Sequence, residues 1–441
     1  MIIAISAWIA ASILSVVLLK WFMTRTRIAA VAIILVLVWQ FIPRPLMFFT
    51  GLDQPYPNYL FKKDIWELVS ISLIIFIIWI TIFFASYFLF IQRPLPIGRL
   101  LPKVQKENIG IILLIIAFIT TLIGVFSTGL LILNVGSIGS FMYQVKVGKV
   151  FAGYYVVREI SVSGAIFSGI ALLYFEKKYR LSEKKKRSRI VIWLTIILFT
   201  TNLAFNYFWG NRFNIAMLFG ALGIGWHFYI NRISFIKAIL ILFIAASILQ
   251  SLKILRTENF GDVLFKDIKS TQPFWTDISS SLHMSQFDSF MLAFRDAGRV
   301  FPYRDGKDFV NGLLAFIPRT IYPDKETFHV GGWFRRVYEP ERINGWPITT
   351  IGDWYINFGY WGLLFGSLLS AFVASIFDSR YQDIKKSYWQ AGVGPPIAFL
   401  IFDGGVDPGF IQSIVLVVFP IYVLAIILNH FGKRKDHKAF G

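Results

Sequence analysis

Apolar and polar positions follow one another along this chain in long blocks rather than in short alternation. A helix needs about 20 apolar residues to cross roughly 30 Å of hydrocarbon, and eleven blocks approach that length. They cover residues 2–19, 28–42, 66–91, 109–133, 154–175, 190–208, 213–230, 235–252, 350–377, 391–402 and 411–431. The pattern predicts an all-α polytopic membrane protein with about eleven transmembrane helices.

The tenth block differs from the others. It is short and contains Pro395 and Pro396, which remove two backbone hydrogen-bond donors from a helix. A re-entrant or broken helix is therefore an alternative to a full span at 391–402.

The blocks divide the chain into three parts. Residues 1–252 hold eight predicted helices, residues 253–349 form one long loop, and residues 350–441 hold the last three apolar blocks. Loops of this length without structure of their own are uncommon, and long ordered loops tend to be functional. We therefore expect short helices within 253–349.

One stretch of this loop, residues 282–300, has the spacing of an amphipathic helix. Asp288, Arg295 and Arg299 fall mostly off its apolar stripe. An interfacial helix lying on the outer leaflet has the same pattern. The stripe consists of Met284, Phe287, Phe290, Met291 and Phe294.

The basic residues set the predicted orientation. With the N-terminus outside, the cytoplasmic segments hold 24 Lys and Arg residues and the short outside segments hold 6. Basic residues in short loops are retained on the cytoplasmic side, so the loop 253–349 is expected outside and the C-terminus inside. This placement, with contact to anionic headgroups, accounts for the net charge of +19 and leaves no reason to expect a nucleic-acid partner.

The composition excludes several classes of site. The chain has no cysteine, so disulfides and thiolate metal sites are ruled out. Its five histidines lack the spacing of a zinc site. No DxD, GxxxxGK or GxGxxG motif is present to anchor a nucleotide or its metal. We predict neither a metal ion nor a cofactor.

Arginines are concentrated in the second half of the long loop, where residues 295–342 contain seven of them and only two lysines. The planar guanidinium binds phosphate through two parallel hydrogen bonds, which a lysine cannot do. An anion-binding site is one interpretation, and pairing with the seven carboxylates of the same stretch is the other. The arginines are Arg295, Arg299, Arg304, Arg319, Arg335, Arg336 and Arg342.

Three further residues are candidates for chemistry. Arg212 lies in a very short turn between two apolar blocks, and a charge at membrane depth is functional by default. His329 is the imidazole nearest the arginines and suits a general base, although a polar contact is the simpler role. Asp353 begins the ninth block, where it either caps the helix or acts as the base.

Small and aromatic residues accompany Asp353. Gly362 and Gly366 form a GxxxG pair, which permits close helix packing in lipid. The nearby aromatic residues fit a membrane-interface belt and also suit stacking against sugar rings. They are Trp333, Trp346, Trp354, Tyr355 and Trp361.

The stretches FIPRTIYPDK (316–325) and TTIGDWYINFGYWGLL (349–364), with GNRF (210–213) and the late long loop, resemble the bacterial O-antigen polymerases of the Wzy type. The related O-antigen ligases share this layout. The resemblance implies a GT-C-like, metal-independent membrane glycosyltransferase on the outer face of the bacterial cytoplasmic (inner) membrane. Its substrates would be oligosaccharide repeat units on undecaprenyl diphosphate, and a chain-length regulator protein would be an optional partner.

The resemblance also suggests roles for residues. Arg212 in GNR and Arg319 in IPR match the family pattern and would bind the diphosphate, and His329 or Asp353 would take the proton from the attacking hydroxyl. A ligase would differ only in its acceptor, whereas a polysaccharide flippase predicts charges along several helices and an internal repeat. Further diphosphate ligands, on loop position alone, are Arg335, Arg336, Arg295 and Arg299.

Overall fold

Helices make up nearly all of the regular structure in the computed structural model. Its α-helices are α1 (Ile2–Thr24), α2 (Ile28–Phe41), α3 (Pro43–Phe49), α4 (Ile65–Ile91), α5 (Gly110–Val135), α6 (Ile138–Tyr143), α7 (Tyr155–Arg180), α8 (Lys185–Phe208), α9 (Arg212–Tyr229), α10 (Gln286–Asp296), α11 (Lys307–Leu313), α12 (Gly331–Tyr338), α13 (Thr350–Arg380), α14 (Tyr388–Ile401) and α15 (Phe410–Phe431). The structure describes residues 1–61, 64–93, 101–104, 109–145, 154–180, 185–210, 212–234, 237, 240, 286–317, 321–322, 326, 330–341 and 345–431.

Eight helical segments in the described part of the chain are long and apolar enough to cross a membrane. The chain is therefore a polytopic α-helical membrane protein, as the block pattern predicts. The predicted block 235–252 lies outside the described residues except for 237 and 240, so the total of eleven spans stays a prediction. The eight segments are Ile2–Thr24, Ile28–Phe49, Ile65–Ile91, Gly110–Val135, Val157–Arg180, Arg189–Phe208, Thr350–Arg380 and Phe410–Phe431.

Helix α14 is the element predicted from the tenth block. It has 14 residues and continues through Pro395 and Pro396. At 1.5 Å per residue this length is about 21 Å, which is less than the roughly 30 Å of hydrocarbon. The length favours the broken or re-entrant alternative over a full span.

The residues group into two compact units that interleave along the chain. The first unit comprises Met1–Gly98, Ser270–Arg380 and Ile401–Val415, and the second comprises Arg99–Lys269, Tyr381–Leu400 and Leu416–Gly441. In the second unit α7 packs against α5 and α8. There Asn202 donates a buried hydrogen bond to Thr121 Oγ1 at 2.7 Å.

In the first unit α4 packs against α1 and α13. A buried carboxylate joins α13 to the start of α2, because Asp378 accepts hydrogen bonds from the backbone N–H groups of Ala29 at 2.8 Å and Ala30 at 3.2 Å. The hydroxyl of Tyr87 donates a third bond to Asp378 at 2.8 Å. This carboxylate therefore satisfies donors that the first turn of α2 leaves unpaired.

Helix α10 confirms the amphipathic helix predicted within 282–300, but its environment corrects the interfacial alternative. Phe287 and Phe290 are fully buried. Their ring centroids lie 5.8 and 5.3 Å from that of Phe41 on α2. The apolar stripe thus packs against protein rather than against the outer leaflet.

Asp288 on α10 is fully buried, although the helical spacing puts it mostly off the apolar stripe. Arg44 of α3, which is 1% exposed, donates to Asp288 from Nη2 at 2.8 Å and from Nε at 3.1 Å. Arg44 also pairs with Asp53, and the backbone N–H of Tyr56 donates to Asp288 at 2.9 Å. A buried carboxylate requires such a partner, and this one joins α10 to α3 and to the segment after it.

Helix α13 bends sharply at Gly359, where φ is 58° and ψ is −141°. A Cβ added to Gly362 would lie 2.1 Å from the carbonyl oxygen of Trp354, and one added to Gly366 would lie 2.5 Å from the Trp354 ring. The short leg, 350–358, therefore folds against the long leg, 360–380. The GxxxG pair permits close packing, and its partner is Trp354 of the same helix. The long leg alone is about 31 Å long, enough to cross the hydrocarbon.

Candidate functional site

The bend in α13 and the loop before α11 enclose an open groove of about 510 Å³. Its walls are mostly aromatic, and two of its rings, Trp361 and Phe365, are exposed on the long leg. We refer to it as the aromatic groove. It is lined by Tyr303, Asp305, Trp354, Asn357, Phe358, Trp361 and Phe365.

The bend holds the loop that forms the mouth of the groove. In an unbroken helix the carbonyl of Ile356 would accept a hydrogen bond from residue 360, but Gly359 interrupts the helix. The backbone N–H of Arg304 donates to Ile356 O instead, at 3.0 Å. The ring of Tyr303 lies 3.5 Å from the Cβ position of Gly359, which is van der Waals contact, and 3.0 Å from that of Gly298, where a larger residue would crowd it.

Arg304 is committed to its neighbours. Its Nε donates to both carboxylate oxygens of Asp308 at 2.9 and 2.8 Å, and its Nη2 donates to Glu326 at 3.1 Å. The guanidinium lies 4.4 Å from the ring centroid of Trp333. Lys307 also donates to Glu326 at 2.8 Å, and this hydrogen bond is the main reason that the pKa of Glu326 is lowered.

Two of the arginines predicted to bind phosphate are also paired within the protein. Arg295 donates to Asp296 at 2.7 and 2.8 Å. Arg335 donates to Glu339 at 2.7 and 2.6 Å, and its guanidinium lies 5.3 Å from the centroid of the Trp346 ring. Both arginines therefore follow the alternative interpretation, in which the cations of this stretch pair with its acids.

Arg299 and Arg336 are exposed, and among the described residues neither guanidinium has a hydrogen bond or an ion pair. Arg299 follows Gly298, whose Cβ position is 3.0 Å from the groove residue Tyr303. Arg336 lies one turn after Trp333, whose ring centroid is 5.3 Å from that of Phe301. Arg299 thus lies within the segment 298–303 that leads into the aromatic groove, and Arg336 lies on the helix whose Trp333 contacts that segment.

The remaining predicted residues are not placed as side chains. Arg212 is the first residue of α9, in the second unit, and its side chain lies outside the described residues. Arg319 and His329 lie outside them entirely, as does Arg342.

Asp353 is in the first turn of α13, but the helix cap comes from Thr349. The hydroxyl oxygen of Thr349 accepts a hydrogen bond from the N–H of Gly352 at 3.0 Å. Asp353 is half-buried, and no described residue donates a hydrogen bond to its carboxylate. Three other carboxylates, Asp407, Asp308 and Asp403, act on it electrostatically.

Asp403 and Asp407 come from the segment before α15, and sequence reasoning did not single them out. The sequence feature that could have identified them is DGGVDPG (403–409), which has two acidic residues and no basic one. Together with Asp353 they form what we call the carboxyl crevice; all three are half-buried. Burial raises the pKa of Asp403 to about 6, and burial with repulsion from Asp403 raises that of Asp407 to about 8.

One residue belongs to both the groove and the surroundings of the crevice. Asn357 lines the aromatic groove, and its Nδ2 donates to Asp308 at 3.0 Å and to the backbone oxygen of Asp353 at 2.9 Å. No three His, Cys, Asp or Glu side chains in the described part of the chain are placed to hold a metal ion.

No protein-family model, no curated protein and no solved structure matches the chain. The site offers an aromatic groove on a membrane helix, two exposed guanidinium groups on neighbouring segments, and the carboxyl crevice, which Asn357 contacts at the backbone of Asp353.

Proposed function

We propose that this protein is a surface-polysaccharide polymerase of the Wzy type. It would transfer the growing glycan from undecaprenyl diphosphate to the next lipid-linked repeat unit, on the outer face of the bacterial cytoplasmic membrane. The observation that carries the proposal is the exposed Arg299, which has no partner among the described residues and lies near the aromatic groove on α13. An amphiphile with an anionic head and a long hydrocarbon tail fits that combination.

The groove supports the lipid part of the substrate. Its residues Trp354, Phe358, Trp361 and Phe365 offer aromatic faces along a helix long enough to cross the membrane. Apolar surface of this kind contacts an isoprenoid chain without desolvating any polar group. The tail would lie along α13, with the head at the loop of Tyr303.

Arg299 and Arg336, which have no partner among the described residues, support binding of the diphosphate group of the substrate. Each guanidinium can give two parallel hydrogen bonds to a phosphate group, and positive charge at this position would stabilise the diphosphate as it leaves. Arg295, Arg304 and Arg335 would hold the surrounding segments in place through their carboxylate partners. Arg212 and Arg319 remain proposed ligands on the resemblance alone.

The acceptor hydroxyl must lose a proton when it attacks. The carboxyl crevice supports this step, because Asn357 links it to the groove and its three carboxyl groups lie within the same unit. Asp353 is the proposed base on the groove side. His329 is the alternative, proposed from its position in the sequence.

The charge distribution supports the proposed orientation. The predicted cytoplasmic segments hold 24 basic residues, and the short outside segments hold 6. This difference would keep the cytoplasmic segments inside. The segment 253–349, and with it Arg299 and Arg336, would then face the periplasm, where lipid-linked repeat units are joined.

The test is complementation of a strain that lacks the gene, with surface glycans separated by length. Arg299→Ala and Arg336→Ala are each expected to lower the amount of long glycan at least tenfold. Single repeat units should remain attached. Arg299→Lys should restore little, because it keeps the charge but loses the fork. Arg180→Ala is the control, since it removes an exposed cation of α7 that pairs with Glu176.

Each other outcome contradicts the proposal. A full ladder in both site variants would remove these arginines from the reaction. Loss of every attached unit would favour a ligase, and repeat units accumulating inside the cell would favour a flippase. A purified enzyme is expected to keep its activity in a chelator, and strict dependence on a divalent ion would reject a metal-independent transferase.

A further inference from the structure

Two buried amide side chains of the first unit have an oxygen without a hydrogen-bond donor. Gln40 on α2 is 1% exposed and Asn357 on α13 is fully buried. Among the described residues neither Gln40 Oε1 nor Asn357 Oδ1 has a partner. A buried acceptor left without a donor costs free energy, so something must supply a donor at both places.

Each of these amide side chains contacts an aspartate. Gln40 Nε2 donates to Asp403 Oδ1 at 3.5 Å, which brings the amide against this carboxyl group. Asn357 Nδ2 donates to the backbone oxygen of Asp353, one helical turn earlier, at 2.9 Å. Residues four apart on a helix share a face, so Asp353 is on the same face of the short leg as Asn357, and we infer that its carboxyl group can reach Asn357 Oδ1.

In the described part of the chain, no cation pairs with the carboxyl crevice. Asp308 of α11 acts electrostatically on Asp353, and that carboxylate already pairs with Arg304. Beside the glycines of the 403–407 segment, the nearest side chains from α2 and α4 are the neutral Leu37, Gln40 and Trp79. Three ionised carboxylates here would be half-buried without a described cation, which is costly.

Protonation of the carboxyl groups would both supply the missing hydrogen-bond donors and remove the uncompensated negative charge. A neutral carboxyl group carries an O–H donor that its ionised form lacks. When Asp403 is protonated, its O–H can donate to Gln40 Oε1 while Gln40 Nε2 donates back, which closes a ring of two hydrogen bonds. The same donor on Asp353 satisfies Asn357 Oδ1. A metal ion fits less well, because no three carboxylates in the described part of the chain converge on one point.

We propose that the carboxyl crevice is a proton-binding site, in which Asp353 and Asp403 carry protons that they donate to Asn357 Oδ1 and Gln40 Oε1. Asp407 is the third carboxyl group of the site and exchanges protons with them. The proposal goes beyond the glycan transfer and does not depend on it, but it constrains the role of Asp353, which can take the proton of an acceptor hydroxyl only after it has released its own. The raised pKa values of Asp403, about 6, and Asp407, about 8, place the exchange near neutral pH.

Asp378 provides a matched control within the same unit. It is also buried, at 2% exposure, but it accepts three hydrogen bonds, from Ala29 N, Ala30 N and Tyr87 Oη. Its oxygens are bonded to donors of the protein rather than set against an amide oxygen that lacks a donor, so Asp378→Asn should leave in place the components that Asp353→Asn and Asp403→Asn remove.

The experiment is infrared difference spectroscopy of the purified, full-length protein in lipid, titrated from pH 5 to pH 9. The C=O stretch of protonated carboxyl groups is expected at neutral pH and should shift to lower wavenumber in D₂O, since the crevice is partly open. Asp353→Asn should remove one component at neutral pH, and Asp403→Asn should remove a component of the pH-dependent change. Asp378→Asn should leave these two components in place.

The D₂O measurement uses the unchanged protein, so it can overturn the proposal even if a variant does not fold. Absence of the C=O band at neutral pH, or a band lost in Asp378→Asn but kept in Asp353→Asn and Asp403→Asn, overturns the proposal. A band that disappears when Na⁺, K⁺ or Mg²⁺ replaces choline overturns it in favour of a cation site. Because the readout is spectroscopic, its failure is separate from any failure of the glycan assay.

Discussion

Gly359 is the residue on which the shape of the candidate site depends. Its φ of 58° with a ψ of −141° falls near a region that residues with a side chain rarely adopt. The bend there brings Trp354 onto Gly362 and Gly366. It also leaves Ile356 O free to accept the hydrogen bond from Arg304. We predict that Gly359→Ala destabilises the protein and disturbs the groove.

The structure separates the contributions to this cost. A Cβ on Gly359 would meet the Tyr303 ring at 3.5 Å, which is an ordinary van der Waals contact, so steric overlap contributes little. The cost is therefore conformational, about 1–3 kcal/mol for a strained backbone of this kind. One to two kcal/mol changes the ratio of folded to unfolded protein by a factor of about 5–30.

The assay is equilibrium unfolding in mixed micelles, followed by tryptophan fluorescence. Gly129→Ala is the control, because Gly129 lies in α5 with nothing within 4 Å of its Cβ position. There alanine is expected to stabilise the helix by roughly 0.5–1 kcal/mol. Equal stability of the two variants would refute the role given to Gly359, since it would mean that the bend needs no glycine.

Further predictions concern buried groups of the same unit. Asp288→Ala leaves the guanidinium of Arg44 buried beside Asp53 alone, and we expect a loss of about 3–5 kcal/mol, measured by the same unfolding. Trp354→Ala should lower the free energy of unfolding by about 3–5 kcal/mol, because it leaves a cavity at the bend and removes the hydrogen bond from Nε1 to Val406 O. Trp354→Phe should lower it clearly less. Because burial raises the pKa of Asp407 to about 8, its contribution to stability is full below about pH 4 and is lost as the pH rises through 8. Asp407→Asn should flatten that dependence between pH 4 and 9, and an unchanged pH profile would contradict it.

The class of the fold could be predicted from the sequence. Lipid offers no hydrogen bonds, so an apolar block must satisfy its own backbone as a helix, and the bilayer thickness fixes its length. The amphipathic period of α10 was readable for a similar reason, because a helical stripe depends only on local spacing. The surface against which this stripe packs could not be predicted, because the stripe suits lipid and protein equally. Only the packing of α10 on α2 decides between them.

The arginines show where sequence reasoning stops. The pattern indicated cations suited to phosphate and left pairing with local acids as the alternative. Arg295 and Arg335 pair with acids one and four residues away, whereas Arg299 and Arg336 do not pair among the described residues. The choice depends on which rotamers the packing of α10 and α12 leaves open, and residue types alone do not contain that information.

The sequence by itself determined that this is a helical membrane protein and that cations, aromatic rings and one acid collect around α13, because hydropathy and charge are properties of each position. Only the tertiary structure decided which groups meet. Asp353 and Asp403 are fifty residues apart, and Gln40 precedes both by more than three hundred. Their grouping follows from the bend at Gly359 and the packing of α2 against α13, which are set by contacts between distant residues.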